Sequence, residues 1–301
     1  MLYKYKVFNL ICSSTVPLPS FIVVEENVKP DFQVALGIVK PSFINDPNVN
    51  KNFIQFNENE FFFQLPDIAK YFVSNGNKVV IEPLCDDWDS ILMFFYSNCI
   101  AAILFQRNSI PFHVSGVLDN DERLWLFAAP SKTGKSTTAL KLKEKGYNLF
   151  TDDTALIKVE DNCCLAVASY PVLRAWENTM NNQKVYARSE GKQLRAEVNK
   201  FGVSFHKDFI GTPKKVSGIV FLEERGNSIQ IERIKSIDGI KLLGDNIYRN
   251  TWVKGMNKQL LQFQTLSAIS QKVSFWKATR PKNISSFDSF SQAIIDQIIE
   301  I

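Results

Sequence analysis

The stretch Leu124–Asp153, LWLFAAPSKTGKSTTALKLKEKGYNLFTDD, limits what this chain can fold into more than any other. Five apolar residues, Leu124–Ala128, lead into a turn-forming segment. Ser136–Lys145 then carries Ala139, Leu140 and Leu142 at helical spacing, and the apolar run Tyr147–Phe150 is soon followed by Asp152-Asp153. The pattern predicts strand, loop, helix, strand and an acidic pair. Residues 129–136, APSKTGKS, match the phosphate-loop motif G-x-x-x-x-G-K-[ST] except at its first position, where Ala129 stands for glycine. In such a loop backbone N–H groups cradle phosphates, the lysine reaches the terminal phosphates and the hydroxyl binds Mg²⁺. Pro130, Ser131, Lys132, Thr133, Gly134, Lys135, Ser136 and Thr137 are therefore the candidate nucleotide-binding residues.

Two adjacent carboxylates at a strand end are often only a turn or a cap. Here the helix after the loop is followed by Gly146 and a strand that returns to the same sheet, so Asp152 and Asp153 emerge at its ligand-binding edge. One can hold Mg²⁺ with Ser136 while the other takes the proton of a substrate hydroxyl, because phosphoryl transfer needs positioning and a base rather than covalent chemistry. The sequence does not say which is which; Ser136 with Asp153 is adopted as the metal pair, and Asp152, Asp153, His113 and Lys135 as the catalytic set. From local sequence, His113 is as well explained as an ordinary residue of the strand preceding the P-loop strand. Arg174, Arg188, Lys192 and Arg195 are candidate contacts to phosphate or substrate, although isolated cations in a polar segment are usually solvated.

Composition narrows the class. A chain of 301 residues with 45% hydrophobic content can bury a sizeable core. Lysine and arginine number 35 against 31 acidic residues, without clustering, which argues against nucleic acid as a partner. The 5 cysteines show no C-x-x-C spacing and no histidine cluster accompanies them, so neither a zinc site nor a disulfide framework is expected. The N-terminal apolar residues are interrupted by Lys4, Lys6 and Asn9 and form no signal-peptide core, and a cytoplasmic location is expected. The run Ile91–Phe105 holds Ser97 and Asn98 near its middle, falls short of the roughly 20 residues that span a bilayer, and predicts a buried helix rather than a membrane contact.

Along residues 1–80, short apolar runs at Phe21–Val24, Phe32–Val39, Phe53–Phe56, Phe61–Leu65 and Lys78–Ile81 alternate with turn signals, as in a strand-rich unit. Pro66–Ser74 is expected to add a helical turn or two, and Asn75-Gly76 a hairpin. From Asp86 to Gln106, apolar residues at three- and four-residue steps predict a long core helix capped by Asp86 or Asp87. Hairpins are expected around Asp119-Asn120-Asp121 and Glu160-Asp161-Asn162. Beyond them come an irregular polar segment at Glu177–Lys200, paired strands at Val216–Glu223 and Ser228–Ile234, helix from Lys254 to Trp276, and an amphipathic helix at Phe287–Ile301. The expected division is a small N-terminal β-rich unit, 1–85, packed on a catalytic domain, 86–301.

The block HVSGV from His113, followed by AAPSKTGKSTTALKLKEKGYNLFTDD, resembles the catalytic domain of the HPr kinase/phosphorylase family over roughly Pro111–Ile157. The resemblance implies an α/β (α+β mixed) fold with a PEP-carboxykinase/HPr-kinase-like P-loop core. It implies an ATP-dependent serine kinase that uses Mg²⁺ and an aspartate of the pair as base, and it moves His113 toward the active site. Asp86–Phe112 and the segment PVLRAW before Glu177 look similar to HPr-kinase-like peptide kinases of lasso-peptide clusters, and Lys192 resembles a basic position of that group. That likeness implies a peptide or protein with an acceptor serine as partner. Ala129 and Lys132 replace glycines of the family loop, and no glycine-rich second signature follows Ala168, so HPr itself is not the expected acceptor. A small-molecule kinase acting on serine or a sugar, and a non-catalytic nucleotide-binding regulatory module, remain the alternatives; assembly as a homo-oligomer is left open.

Overall fold

The structure, a computed structural model, describes residues 2–26, 28–40, 44, 46–176, 191–195, 198–282 and 285–301, with backbone alone at 175–176, 191–195 and 198–201. The chain is mixed α/β and divides into two compact units: Met1–Pro111 with Tyr248–Phe263, and Phe112–Ile247 with Gln264–Ile301.

In the first unit a nine-stranded sheet runs in the order Ile22–Val23, Tyr3–Val7, Leu10–Ser14, Phe32–Leu36, Lys78–Pro83, Ala69–Ser74, Glu60–Leu65, Ile54–Phe56, Val49–Lys51. The helical turns expected at Pro66–Ser74 are instead a strand: Ala69, Tyr71 and Val73 are fully buried and alternate with half-buried neighbours, the period-two pattern of a sheet. The long helix forms as expected over Trp88–Gln106. Asp87 caps it, accepting from the Ser90 amide at 3.2 Å. A wider π turn at Phe95–Cys99 interrupts it beside Ser97, whose hydroxyl donates back to the Met93 carbonyl at 2.9 Å.

At 19 residues this helix is longer than the Ile91–Phe105 run suggests, and by length and composition it could cross a membrane. In the structure 67% of its apolar window is buried. The Tyr71 hydroxyl donates to the Ile91 carbonyl at 2.8 Å, and the Phe21 and Phe95 rings lie 6.0 Å apart. The helix thus belongs with the first sheet, which moves the unit boundary from the expected residue 85 to Pro111.

The second unit is built on a mixed sheet in the order Ala155–Val159, Cys164–Ala168, Lys214–Glu224, Leu124–Ala128, Val114–Leu118, Asn148–Thr151. Leu124–Ala128 is buried at all five positions, as a central strand covered on both faces must be. It pairs parallel with Lys214–Glu224, which pairs parallel with Ser274–Arg280 further along. The strand Gln230–Arg233 pairs with Ser274–Arg280 and not, as its nearness in sequence suggests, with Lys214–Glu224. Its partner was hidden in a region whose helical pattern extends only over Trp252–Gly255 and Gln259–Ser270. Within the polar segment expected to be irregular, Gly191–Arg195 and Val198–Ser204 are strands of a three-stranded sheet with Val172–Trp176.

The P-loop helix, Lys135–Glu144, ends as a Schellman motif: the Tyr147 amide bonds to the Leu142 carbonyl at 3.1 Å and the Gly146 amide to the Lys143 carbonyl at 3.0 Å. Gly146 sits at φ 101°, which that closure requires and glycine adopts without cost. Leu140 and Leu142 pack with Phe127, Val220, Ala278, Phe290 and Ile294 in one buried cluster, fixing the loop between the sheet and the terminal helix Phe287–Ile294.

Candidate active site

The loop carries two left-handed residues, Lys132 at φ 71° and Gly134 at φ 108°. Ala129, although it replaces a glycine, is not among the positive-φ residues, and its methyl is buried. The exchange at 129 therefore costs the loop no backbone strain. The exchange at 132 puts a side chain where glycine is favoured. Lys135 opens the helix with its ammonium folded back onto the loop, donating to the Ala129 carbonyl at 2.7 Å and lying 3.5 Å from the Pro130 carbonyl.

Asp152 is 2% exposed and its carboxylate is enclosed by donors. Oδ1 accepts from Ser136 Oγ at 2.8 Å and from Ser115 Oγ at 2.5 Å, and Oδ2 accepts from the Arg174 amide at 2.8 Å. Ser136 therefore meets Asp152 and not Asp153, with which the sequence reading paired it as a metal set. The cause is backbone geometry: Asp153 takes the left-handed conformation, φ 76°, and its side chain departs in another direction.

Asp153 Oδ2 accepts from Arg174 Nη1 at 3.0 Å, and Oδ1 lies 3.7 Å from His113 Nδ1. The nearer partner of that nitrogen is the Asp153 backbone carbonyl, at 2.8 Å. A carbonyl only accepts, so Nδ1 carries the proton, and in a neutral ring Nε2 is left as the acceptor. Burial pushes the His113 pKa below its ordinary 6.5, with Lys135 acting in the same direction against the raising effect of Asp153. The ring is thus held neutral. It interrupts the strand, with Pro111–Phe112 before it and Val114–Leu118 after it, and its amide donates to the Asn246 carbonyl at 2.7 Å.

Of the four cations singled out in the sequence, Arg174 reaches the site. Its Nη2 also donates to the Tyr170 hydroxyl at 2.7 Å, which fixes the guanidinium against Asp153. Lys192 and Arg195 lie on the strand Gly191–Arg195, described for its backbone only, and Arg188 lies outside the described residues. The sequence reading gave no role to Ser115 or Tyr170. Ser115 alternates with His113 along a strand, a period-two signal that both meet one site; nothing local marks Tyr170.

Among the described residues no group of three or more His, Cys, Asp or Glu could hold a metal. The hard oxygens of Ser136 and Asp152 fit Mg²⁺, which is commonly bound by one or two protein groups and completed by phosphate and water. All five cysteines are free, and burial raises the Cys164 thiol to about 11.

No protein-family model matches the chain, and no curated protein matches it. Among solved structures it is similar to the Hpr(Ser) kinase/phosphatase from Coxiella burnetii, at 12% identity over 63% of this chain and 97% of that one, with a TM-score of 0.33.

Proposed function

We propose that this chain is an HPr-kinase-like P-loop kinase that uses ATP and Mg²⁺ to phosphorylate the hydroxyl of a serine or threonine, on a peptide or protein. The supporting observation is that two adjacent carboxylates serve two different settings: Asp152 is bonded to Ser136 of the phosphate loop, while Asp153 faces His113 and Arg174.

Lys135 and the loop amides hold the phosphate chain, the ammonium exchanging its contact with the Pro130 carbonyl for phosphate oxygens. Ser136 and Asp152 are the residues that would hold Mg²⁺, which supplies positive charge at the phosphates when bound. Asp153 is the base. As the acceptor oxygen bonds to the γ-phosphorus and the bond from that phosphorus to the bridging oxygen breaks, the hydroxyl proton passes to the Asp153 carboxylate and ADP departs with the bridging electrons. Arg174 moves its charge from Asp153 toward the transferring group as that carboxylate is neutralised. His113, neutral and hydrogen-bonded through Nδ1 to the Asp153 backbone, orients the base.

Incubation with γ-labelled ATP, Mg²⁺ and serine-containing peptides tests the reading. Label on serine that Asp153→Asn abolishes supports it. Transfer only to free serine or a sugar would shift the acceptor to a metabolite, and tight ATP binding without turnover, indifferent to both aspartates, would leave a nucleotide-binding module.

A further inference from the structure

We propose that Arg280 and Phe287 form the subsite for the nucleoside end of the bound nucleoside triphosphate, an inference that rests on the nucleotide reading of the phosphate loop. The sheet fixes the direction. On one side of the P-loop strand lie Val114–Leu118 and Asn148–Thr151, adjoining His113 and the two aspartates. On the other lie Lys214–Glu224 and, beyond it, Ser274–Arg280. A triphosphate lying in the loop turns its transferred end toward the aspartates, so its nucleoside end leaves over the opposite flank, at the carboxyl ends of the parallel strands.

The residues that meet the loop on that flank are Arg280 and Phe287. A Cβ added to Gly134 would lie 2.7 Å from Phe287 Cε1 and 3.9 Å from Arg280 Nε, so both side chains pack directly on the loop's last glycine. The Arg280 guanidinium stacks 4.3 Å from the centre of the Phe287 ring. Arg280 is the last residue of its strand, in register with Glu224, to which Nη2 donates at 2.6 Å. Its Nη1 is 3.5 Å from the Pro281 carbonyl.

The arginine is 8% exposed, and its Nε is buried without a hydrogen-bond partner, as is the hydroxyl of Ser286, which precedes Phe287 and makes no cap bond. Orphaned buried polar atoms are exceptions in folded proteins. Here they flank a half-buried phenyl ring against the phosphate loop. A nucleoside resting on that ring brings oxygens for the donors and a flat face for the phenyl and guanidinium. The subsite reads shape, and it therefore predicts little discrimination between ATP and GTP.

Calorimetric titration of the full chain, with Mg²⁺, compares ATP, GTP and inorganic tripolyphosphate on wild type, Arg280→Lys and Phe287→Leu. Arg280→Lys keeps a cation for Glu224 and Phe287→Leu keeps an apolar side chain; thermal melting reports whether each remains folded. Each folded variant is expected to bind ATP and GTP roughly tenfold more weakly, the range of a lost base-stacking contact, with tripolyphosphate affinity unchanged. Equal loss for all three ligands, or undiminished ATP binding in both variants, overturns the assignment while leaving the phosphate loop intact. Wild-type protein that binds none of the three overturns the nucleotide reading and the subsite with it.

Discussion

Ser136 Oγ donates to Asp152 Oδ1 at 2.8 Å, so the first turn of the P-loop helix and the acidic pair are tied together by the protein's own atoms. The bond sets the spacing of two oxygens that otherwise belong to different segments, and it makes Asp152 as much a structural acceptor as a candidate ligand.

Asp152→Asn tests both roles. An amide nitrogen in place of one carboxylate oxygen must face a donor, from Ser115, Ser136 or the Arg174 amide, and a buried donor loses its acceptor. The expected cost is about 1–3 kcal/mol in denaturant unfolding. Nucleotide affinity should also lose its dependence on Mg²⁺. A variant with unaltered Mg²⁺ dependence would remove Asp152 from the metal role.

Asp153→Asn should behave differently. It keeps the side-chain volume and removes the proposed base, so the transfer rate is expected to fall by roughly 10²- to 10⁴-fold with little change in nucleotide affinity. Single-turnover rates and equilibrium titration separate the two effects. A parallel loss of binding and rate would place Asp153 on the nucleotide instead.

Lys132→Gly should stabilise the chain. The lysine is left-handed at φ 71°, a conformation that costs a non-glycine residue roughly 1 kcal/mol or more. Glycine's greater freedom in the unfolded chain offsets about 0.4–1 kcal/mol of that relief, so the net rise in the melting midpoint of a chain this large is expected to stay below roughly 2 °C. If the midpoint falls, the side chain makes a contact worth more than the strain.

The core of the candidate site is legible in the sequence because its signals are local. Gly134-Lys135-Ser136 after a buried strand, and Asp152-Asp153 after the next, announce themselves within thirty residues. What the sequence could not order is the division of labour in the acidic pair, since that is set by the φ of Asp153. Likewise Ser274–Arg280 escaped notice because a parallel strand far along the chain carries no turn signal tying it to its partner. Pro66–Ser74 reads as helical in sequence because the start of that span resembles a helix cap, while its period-two burial appears only in the sheet. Arg174 stood among four equivalent cations until the strand Val172–Trp176 brought its amide to Asp152.

His113 gives a pH dependence of definite sign. Burial holds its folded pKa below 6.5, so at pH values under 6.5 the unfolded chain takes up a proton that the folded chain resists. The His113 contribution to stability is thus full above 6.5 and is lost as the pH falls through the window beneath it. Unfolding free energies measured on either side of that window should rise with pH in the wild type, and less steeply in His113→Gln. An equal slope in the variant would assign the dependence to other groups.

The first unit takes Tyr248–Phe263 from late in the chain, and the second takes Gln264–Ile301. On the ribosome neither can be completed in turn. The early sheet must wait for Trp252, whose ring lies 4.7 Å from Phe61, and for Lys258, which bonds Glu58 at 3.0 Å and Asn108 at 2.8 Å. The P-loop strand waits similarly for Lys214–Glu224. A nascent chain stopped short of residue 258 would hold a first sheet without its Lys258 contacts and a second sheet without Ser274–Arg280, and no single scission could release either unit whole.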